Sequence, residues 1–486
     1  MTLNKAQTHK KGLSATVLKA MGLFTGVQSV NIVCSIVRTK FAALLLGPEG
    51  VGLFGLYNST IDMMKSLSEL GLRSSTIPSI ASSKSMATVA RICYVVRRWN
   101  WVVGAIGAII TALLAPLLSK LTFDDASHAW AFVALSVSVF MASVTSAELS
   151  IIQGLGKLKR MAKASVAGSI AGLLISIPLF YLFGIRSIVP TILAYTVVTM
   201  LATLLLRERL PKPEPVPSAG DSFREGLAFV KLGICMAASY TVAFAASYAV
   251  KAWLNYHQGT DVVGIFESGY MLANRYIGLV FAAIGVEYFP RLSRVKDSSL
   301  RISLFVGHEA SIAAIVILPV AALFIALDDV VIRLLYDSKF LDAAPFITVA
   351  LVSTPFRALS WCMAFVMLAR GDGKIFLLTD TISAILSVLL FIAGYHLGGF
   401  LGMGVAYMIW YASYAIIVYV AYRGYYRLKL NRGVMKLYAV VTIILLICSL
   451  LRINGLQWPS IVIGVFAAIY TFCFMRRELS RGKKFR

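Results

Sequence analysis

Acidic residues are scarce in this 486-residue chain: 22 Asp and Glu stand against 46 Lys and Arg, for a formal net charge of +24. Charged residues of either sign make up only 14% of it, where a soluble protein carries about a quarter. Histidine is rare. His9, His128, His257, His308 and His396 fall near loops or helix ends and form no cluster. The six cysteines, Cys34, Cys93, Cys235, Cys362, Cys448 and Cys473, are scattered without a CxxC or a Cys/His grouping. That pattern argues against a zinc site and a disulfide framework, and the thiols read as small apolar side chains. GxxxxGK[ST], GxSxG and HExxH are all missing, so a built-in ATPase and the common hydrolase chemistries are not expected. No catalytic residue, cofactor or metal site is expected. No cleavable signal peptide is evident, because the polar start runs into a long apolar segment near Val17 without a small-residue cleavage site.

What is present is hydrophobic. Apolar residues are 59% of the chain and the mean hydropathy is +0.81. A bilayer core needs about 20 apolar residues per helix. About fourteen such stretches run along the chain: 17–46, 51–70, 100–119, 129–152, 164–183, 187–206, 226–254, 262–287, 304–327, 345–368, 376–396, 400–422, 434–452 and 459–475. In lipid the backbone must satisfy its own hydrogen bonds, so these are expected to be helices. The expected fold is an all-α polytopic membrane protein.

The positive charge is sorted by gap. Thirty-four of the 46 Lys and Arg fall in alternate gaps, on the side that also holds both termini. Five lie in the opposite gaps (Lys120, Arg186, Arg333, Lys339 and Arg452), and seven lie inside apolar stretches. Excess Lys and Arg in cytoplasmic loops sets orientation, which predicts an inner-membrane protein with both termini cytoplasmic. Because the charge is spread over short segments, it does not form the single basic patch of a nucleic-acid binder.

The stretch Arg207–Arg224, with four prolines and dense charge, reads as a cytoplasmic linker. The expected organisation is an N-lobe at 1–206, a linker at 207–225, a C-lobe at 226–422, and two further helices with a basic tail at 423–486. The lobes echo one another. A shift of 212 residues places Val51-Gly52-Leu53-Phe54 on Val263-Gly264-Ile265-Phe266, and a shift of 217 places Gly154-Leu-Gly156-Lys157 on Gly371-Asp-Gly373-Lys374. Both lobes start on the same side, so the repeats are parallel, and transporters of this kind hold substrate near midplane between the halves. Gly22, Gly26, Gly104 and Gly107 suit close helix crossings.

The internal cations are the strongest functional signal, since a charge at membrane depth costs at least about 2.5–3.5 kcal/mol and marks function by default. Arg38 and Lys40 lie in the first helix, Lys251 in the seventh, Arg275 in the eighth and Arg357 in the tenth. They are expected to face a shared aqueous interior. Guanidinium groups grip phosphate oxygens bidentately, which points to an anionic, phosphate-bearing cargo. Two of the lysines have plainer readings: Lys251 snorkelling to the interface, and Lys65 pairing with Asp62 or Glu69 on one helix face. Asp62, Glu148 and Glu267 either neutralise arginines or bind a coupling H+ or Na+. Asn58, Asp62 and Lys65 belong to an unusually polar second helix, and Asn274 and Arg275 hold the equivalent stretch of the eighth.

The run Arg38-Thr-Lys40-Phe-Ala-Ala-Leu-Leu-Leu-Gly47-Pro48-Glu49-Gly50-Val-Gly52-Leu-Phe54, the two GxGK loops and the twelve-plus-two helix plan resemble the polysaccharide-transporter branch of the multidrug/oligosaccharidyl-lipid/polysaccharide (MOP) exporter superfamily. O-antigen and exopolysaccharide repeat-unit flippases are the most similar members. The resemblance implies a V-shaped pair of pseudo-symmetric six-helix lobes around a central cavity. It also implies translocation of an undecaprenyl-diphosphate-linked oligosaccharide to the periplasmic leaflet by alternating access, with membrane lipids, a polysaccharide polymerase and chain-length proteins as partners. In related lipid II flippases a helix-1 arginine nine residues before the outer-turn glycine faces the cavity. Arg38 stands nine before Gly47, so the resemblance gives it that role. It further implies a polyprenyl-tail groove at the last two helices. A cation-coupled multidrug or metabolite exporter, a lipid II flippase and a non-transporting scaffold are the rival readings.

Overall fold

The computed structural model describes the backbone of residues 2–83, 85–295 and 298–484, and the side chains of most residues from 30 to 476. The expected crossing at Gly22 and Gly26 lies outside the residues whose packing is described. Among the described residues every regular element is helical. Among the described residues nine segments are long and apolar enough to cross a membrane, and a bent pair, 86–113 with 115–123, makes a tenth. Three of the nine are double length and break at glycines: Gly47, Gly184 and the pair Gly398–Gly399. When each arm is counted, and the helices flanking the 272–276 turn are taken as one span, all fourteen expected stretches fall on helix. The protein is a multi-pass membrane protein.

The chain divides into two compact units, Met1–Tyr248 and Ala249–Arg486. The first contains α1 (Thr2–Glu69), α2 (Leu72–Ser82), α3 (Met86–Leu113), α4 (Ala115–Phe123), α5 (Ala129–Gly154), α6 (Leu158–Phe183), α7 (Ile188–Leu205) and most of α8 (Ala219–Gln258). Small residues let these helices approach closely. A Cβ on Gly107 would lie 1.8 Å from Ser68 Oγ, and one on Gly104 would lie 3.1 Å from Ser143 Cβ, so the crossings expected there exist. At Gly71 a Cβ would lie 2.3 Å from the Gly233 carbonyl oxygen. This backbone contact ties the end of the second arm of α1 to α8. The Trp99 indole donates to the Ser222 carbonyl at 2.7 Å. The start of α8 therefore packs on α3 rather than standing off as linker.

The second unit continues with α9 (Thr260–Met271), a π-helical turn at 272–276, α10 (Ile277–Arg294), α11 (Ser299–Ala326), α12 (Asp328–Leu335), α13 (Ala344–Ala350), α14 (Thr354–Arg370), α15 (Gly373–Val420), α16 (Arg432–Ile453) and α17 (Gln457–Lys484). α11 is the post on which the last two helices lean. Tyr438 donates to the Ala310 carbonyl and Thr471 to that of Ile315, each at 2.8 Å. At the far end, buried Asp328 accepts from Arg452 Nε at 2.8 Å and from Thr348 at 2.6 Å, while Asp329 meets the same arginine at 2.5 Å. Arg452, one of the few cations outside the basic gaps, is thus held by a carboxylate pair.

The backbone carries the repeat more clearly than the letters do. Gly47 (φ 68°, ψ −168°) and Gly259 (φ 89°, ψ 170°) stand 212 residues apart in a region open essentially to glycine alone. At the GxGK loops the register needs correction. The left-handed residues are Gly156 and Gly371, a shift of 215 rather than 217. Each closes its helix with the same pair of bonds: Gly156 N–H to Gln153 O with Lys157 N–H to Ile152 O, and Gly371 N–H to Leu368 O with Asp372 N–H to Met367 O. This is the double bond pattern of a glycine helix stop. Gly154, the first glycine of its loop, instead permits a close helix approach, since a Cβ there would lie 2.9 Å from Ile80 Cβ. Gly184 and Gly399 repeat the 215 shift with nearly equal dihedrals.

Candidate functional site

Within the first unit, the two arms of α1 together with α5 and α7 enclose a cavity of about 220 Å³. Gly47 folds α1 back on itself, which sets Arg38 of the first arm beside Phe54, Asn58, Asp62 and Lys65 of the second. Thr145, Ser146, Tyr195 and Thr199 add hydroxyls, and Arg73 adds a third cation. Three cations and one carboxylate line the space, so its field is positive. The Arg38 guanidinium lies 4.4 Å from the Tyr195 ring centre and 5.7 Å from that of Phe54. Both distances lie within cation–π range, so the rings help hold the guanidinium at the cavity wall. Lys65 lies 3.7 Å from Glu69, one turn along the same helix, and keeps its place on the cavity wall. Asn58 donates back to the Phe54 carbonyl at 2.7 Å. Lys40 is half-buried on the first arm of α1 and is not part of the cavity wall.

The second unit uses its internal charges differently. Lys251 and Glu267 form an ion pair at 2.7 Å with side chains only 6% and 7% exposed. The lysine is neutralised in the interior and does not reach toward the membrane surface. Arg357, on α14, donates to the carbonyls of Asn274 at 3.0 Å and Ala273 at 3.4 Å. Its guanidinium also packs 5.1 Å from Phe281 and 5.5 Å from Tyr411. A π-turn interrupts the regular i→i−4 bonding and leaves carbonyls in need of donors. Arg357 supplies them, which fixes the 272–276 turn with Asn274 half-buried and Arg275 exposed. In the first unit, Glu148 is 3% exposed and accepts both arms of Arg97, at 2.7 and 2.8 Å. It is the structural partner of that arginine.

The corrected repeat registers explain the difference between the units. Asn58, Ala142, Ser146, Ile192, Thr196 and Thr199 line the first-unit cavity. Their counterparts are Tyr270, Arg357, Trp361, Tyr407, Tyr411 and Tyr414. Large rings and one guanidinium occupy in the second unit what is open space in the first. Tyr270, Phe391, Tyr407 and Trp410 pack there with ring centres 5.6–6.5 Å apart. Sequence reasoning alone missed Arg73 and Tyr195 as wall residues. Arg73 lies outside the apolar stretches and Tyr195 carries no charge, so only the fold shows that they converge on the cavity.

Known proteins share this fold. The family model described as "Polysaccharide biosynthesis protein" matches residues 42–345. No curated protein sequence matches significantly. Among solved structures, the inward closed conformation of the lipid II flippase MurJ is similar, with a TM-score of 0.70 at 14% identity over 94% of this chain and 99% of that one. An inward-facing multidrug resistance MATE family transporter of the MOP superfamily gives 0.70 at 15% identity, covering 84% and 96%. A MOP superfamily transporter from Pyrococcus furiosus, described as having a binding pocket of reverse polarity, gives 0.57 at 16%, covering 84% and 95%. The chain belongs to the polysaccharide biosynthesis protein family and has the helical fold seen in the MurJ and MATE structures of the MOP superfamily.

Proposed function

We propose that this protein is a flippase that carries undecaprenyl-diphosphate-linked oligosaccharide units from the cytoplasmic to the periplasmic leaflet of the inner membrane, by alternating access, for O-antigen or related surface polysaccharide. The observation that carries the reading is the first-unit cavity, where Arg38, Lys65 and Arg73 face a space that also holds a single acid, Asp62. At about 220 Å³ it is smaller than a typical pocket for a whole ligand, so it suits the charged linkage while sugars and tail lie elsewhere. Arg38 grips the diphosphate, with Lys40 and Arg275 as further cationic contacts along the path. Lys251 and Arg357, assigned to the substrate from sequence, serve inside the second unit in this proposal, as does Glu267 in its pair with Lys251, while Glu148 serves the first unit in its pair with Arg97. Asp62 remains the acid placed to bind a coupling H+ or Na+. Both termini are cytoplasmic, in keeping with the sorting of positive charge.

The test is glycan export in cells whose only copy carries Arg38→Ala. Normal membrane insertion with export reduced about a hundredfold or more is expected, because a charge-assisted bidentate contact is lost. Export at the normal rate removes Arg38 from the mechanism. A second reading, lipid II as cargo, is favoured by the coverage of the MurJ structure. Rescue of a strain depleted of its lipid II flippase would select it.

A further inference from the structure

A cavity in the second unit belongs to neither the cationic pocket nor its filled counterpart. It measures about 570 Å³ and lies between the first turns of α11 and the segment leading into α16. Its polar wall includes Arg427, Lys429, His308, Ser303, Ser311 and Asn431, and among the described residues no carboxylate lines it. Its apolar wall includes Leu300 and Leu304, which are 72% and 66% exposed. These leucines open α11, a helix of membrane-spanning length and hydropathy, and so border the acyl region beside a cationic floor. Arg427 is one of three non-glycine residues with positive φ among the described residues, at 54°. An L-residue rarely adopts this conformation, and it is held here while Leu428 N–H bonds back to Tyr422 O at 3.1 Å. The backbone is therefore pinned beside the arginine. Ser303 accepts from the Lys429 N–H at 3.4 Å, which joins α11 to the basic segment across the cavity. Two cations, several hydroxyls and an exposed aliphatic border at the basic end of the helices complement an anionic head attached to an acyl chain.

We infer that this cavity holds the phosphate headgroup of an anionic glycerophospholipid from the surrounding leaflet, seated on Arg427 and Lys429. Such a lipid braces α16 against α11, and the site is separate from cargo binding.

The experiment is native mass spectrometry of the full chain released from nanodiscs containing phosphatidylglycerol and phosphatidylcholine. The wild type is expected to retain one phosphatidylglycerol more than the Arg427→Gln/Lys429→Gln double variant, with at least a tenfold change in apparent affinity. The Arg432→Gln/Lys436→Gln variant, which removes equal charge from exposed positions outside the cavity wall, is expected to match the wild type. Equal loss in both double variants would overturn the proposal in favour of general charge attraction. Displacement of the lipid by polyprenyl phosphate at equal concentration would also overturn it, by making the cavity a cargo station. A Ser311→Leu variant, which narrows the cavity without touching charge, is expected to lose the same equivalent; full retention there would contradict the assigned seat.

Discussion

Arg38 and Arg357 are both arginines at membrane depth, yet their surroundings predict opposite phenotypes. Arg357→Met removes the donors for the Asn274 and Ala273 carbonyls. Leaving buried acceptors unmet costs about 1–3 kcal/mol, so the thermal midpoint of the purified protein is expected to fall while retained cargo persists in the folded fraction. Arg38→Ala is expected to do the reverse, with little change in midpoint and loss of cargo. Lys251 gives a further contrast. Removing it alone strands the Glu267 carboxylate in the interior, and breaking a buried pair costs about 3–5 kcal/mol. The double variant Lys251→Met/Glu267→Gln is expected to recover most of that stability, and transport with it, in a thermal shift assay paired with glycan export. Continued failure of transport in a stable double variant would return Lys251 to the cargo path. None of these partnerships was legible in the sequence. Arg357 and Asn274 are 83 residues apart, and Arg97 and Glu148 are 51 apart. A list of internal charges gives their depth and not which of them meet. Only the local pair Lys65–Glu69, one turn apart, could be read from helix periodicity.

Elements were far easier to read. Apolar length found the long helices but not the short α2 and α12, and the 212-residue echo found the matching turns at Gly47 and Gly259. Matching of letters then misled at the GxGK loops. Chain reversal there depends on which residue takes the left-handed conformation, and that is the second glycine in one loop and the first in the other. The start of α8 at Ala219, inside the expected linker, was hidden because the Trp99 contacts at Ser222 and Gly226 rather than hydropathy hold it down. Substitution of the turn glycines tests their two different roles. Gly47→Ala meets no atom within 4 Å, so its whole effect is backbone strain, about 1–3 kcal/mol. Gly71→Ala adds a collision with the Gly233 backbone and is expected to lower the thermal midpoint further. Equal effects at the two positions would contradict the close α1–α8 contact.

At the scale of the whole molecule, sorted charge predicts orientation. A cysteine at Lys212, in the linker, is expected to resist a membrane-impermeant maleimide in intact spheroplasts, while one at Ser127 is expected to label, each in a background without native cysteines. Labelling in the opposite sense would invert the protein and the direction of transport with it. The two units carry matching turn glycines at the repeat spacings. The first kept an open cationic cavity and the second filled the same positions with rings and Arg357, so cargo chemistry is assigned to the first. The most direct test of that claim is native mass spectrometry of the protein taken gently from its own membrane, wild type beside Arg38→Ala. A polyprenyl-diphosphate-linked glycan is expected on the wild type and missing from the variant. Ordinary phospholipid alone on both proteins would contradict the assignment.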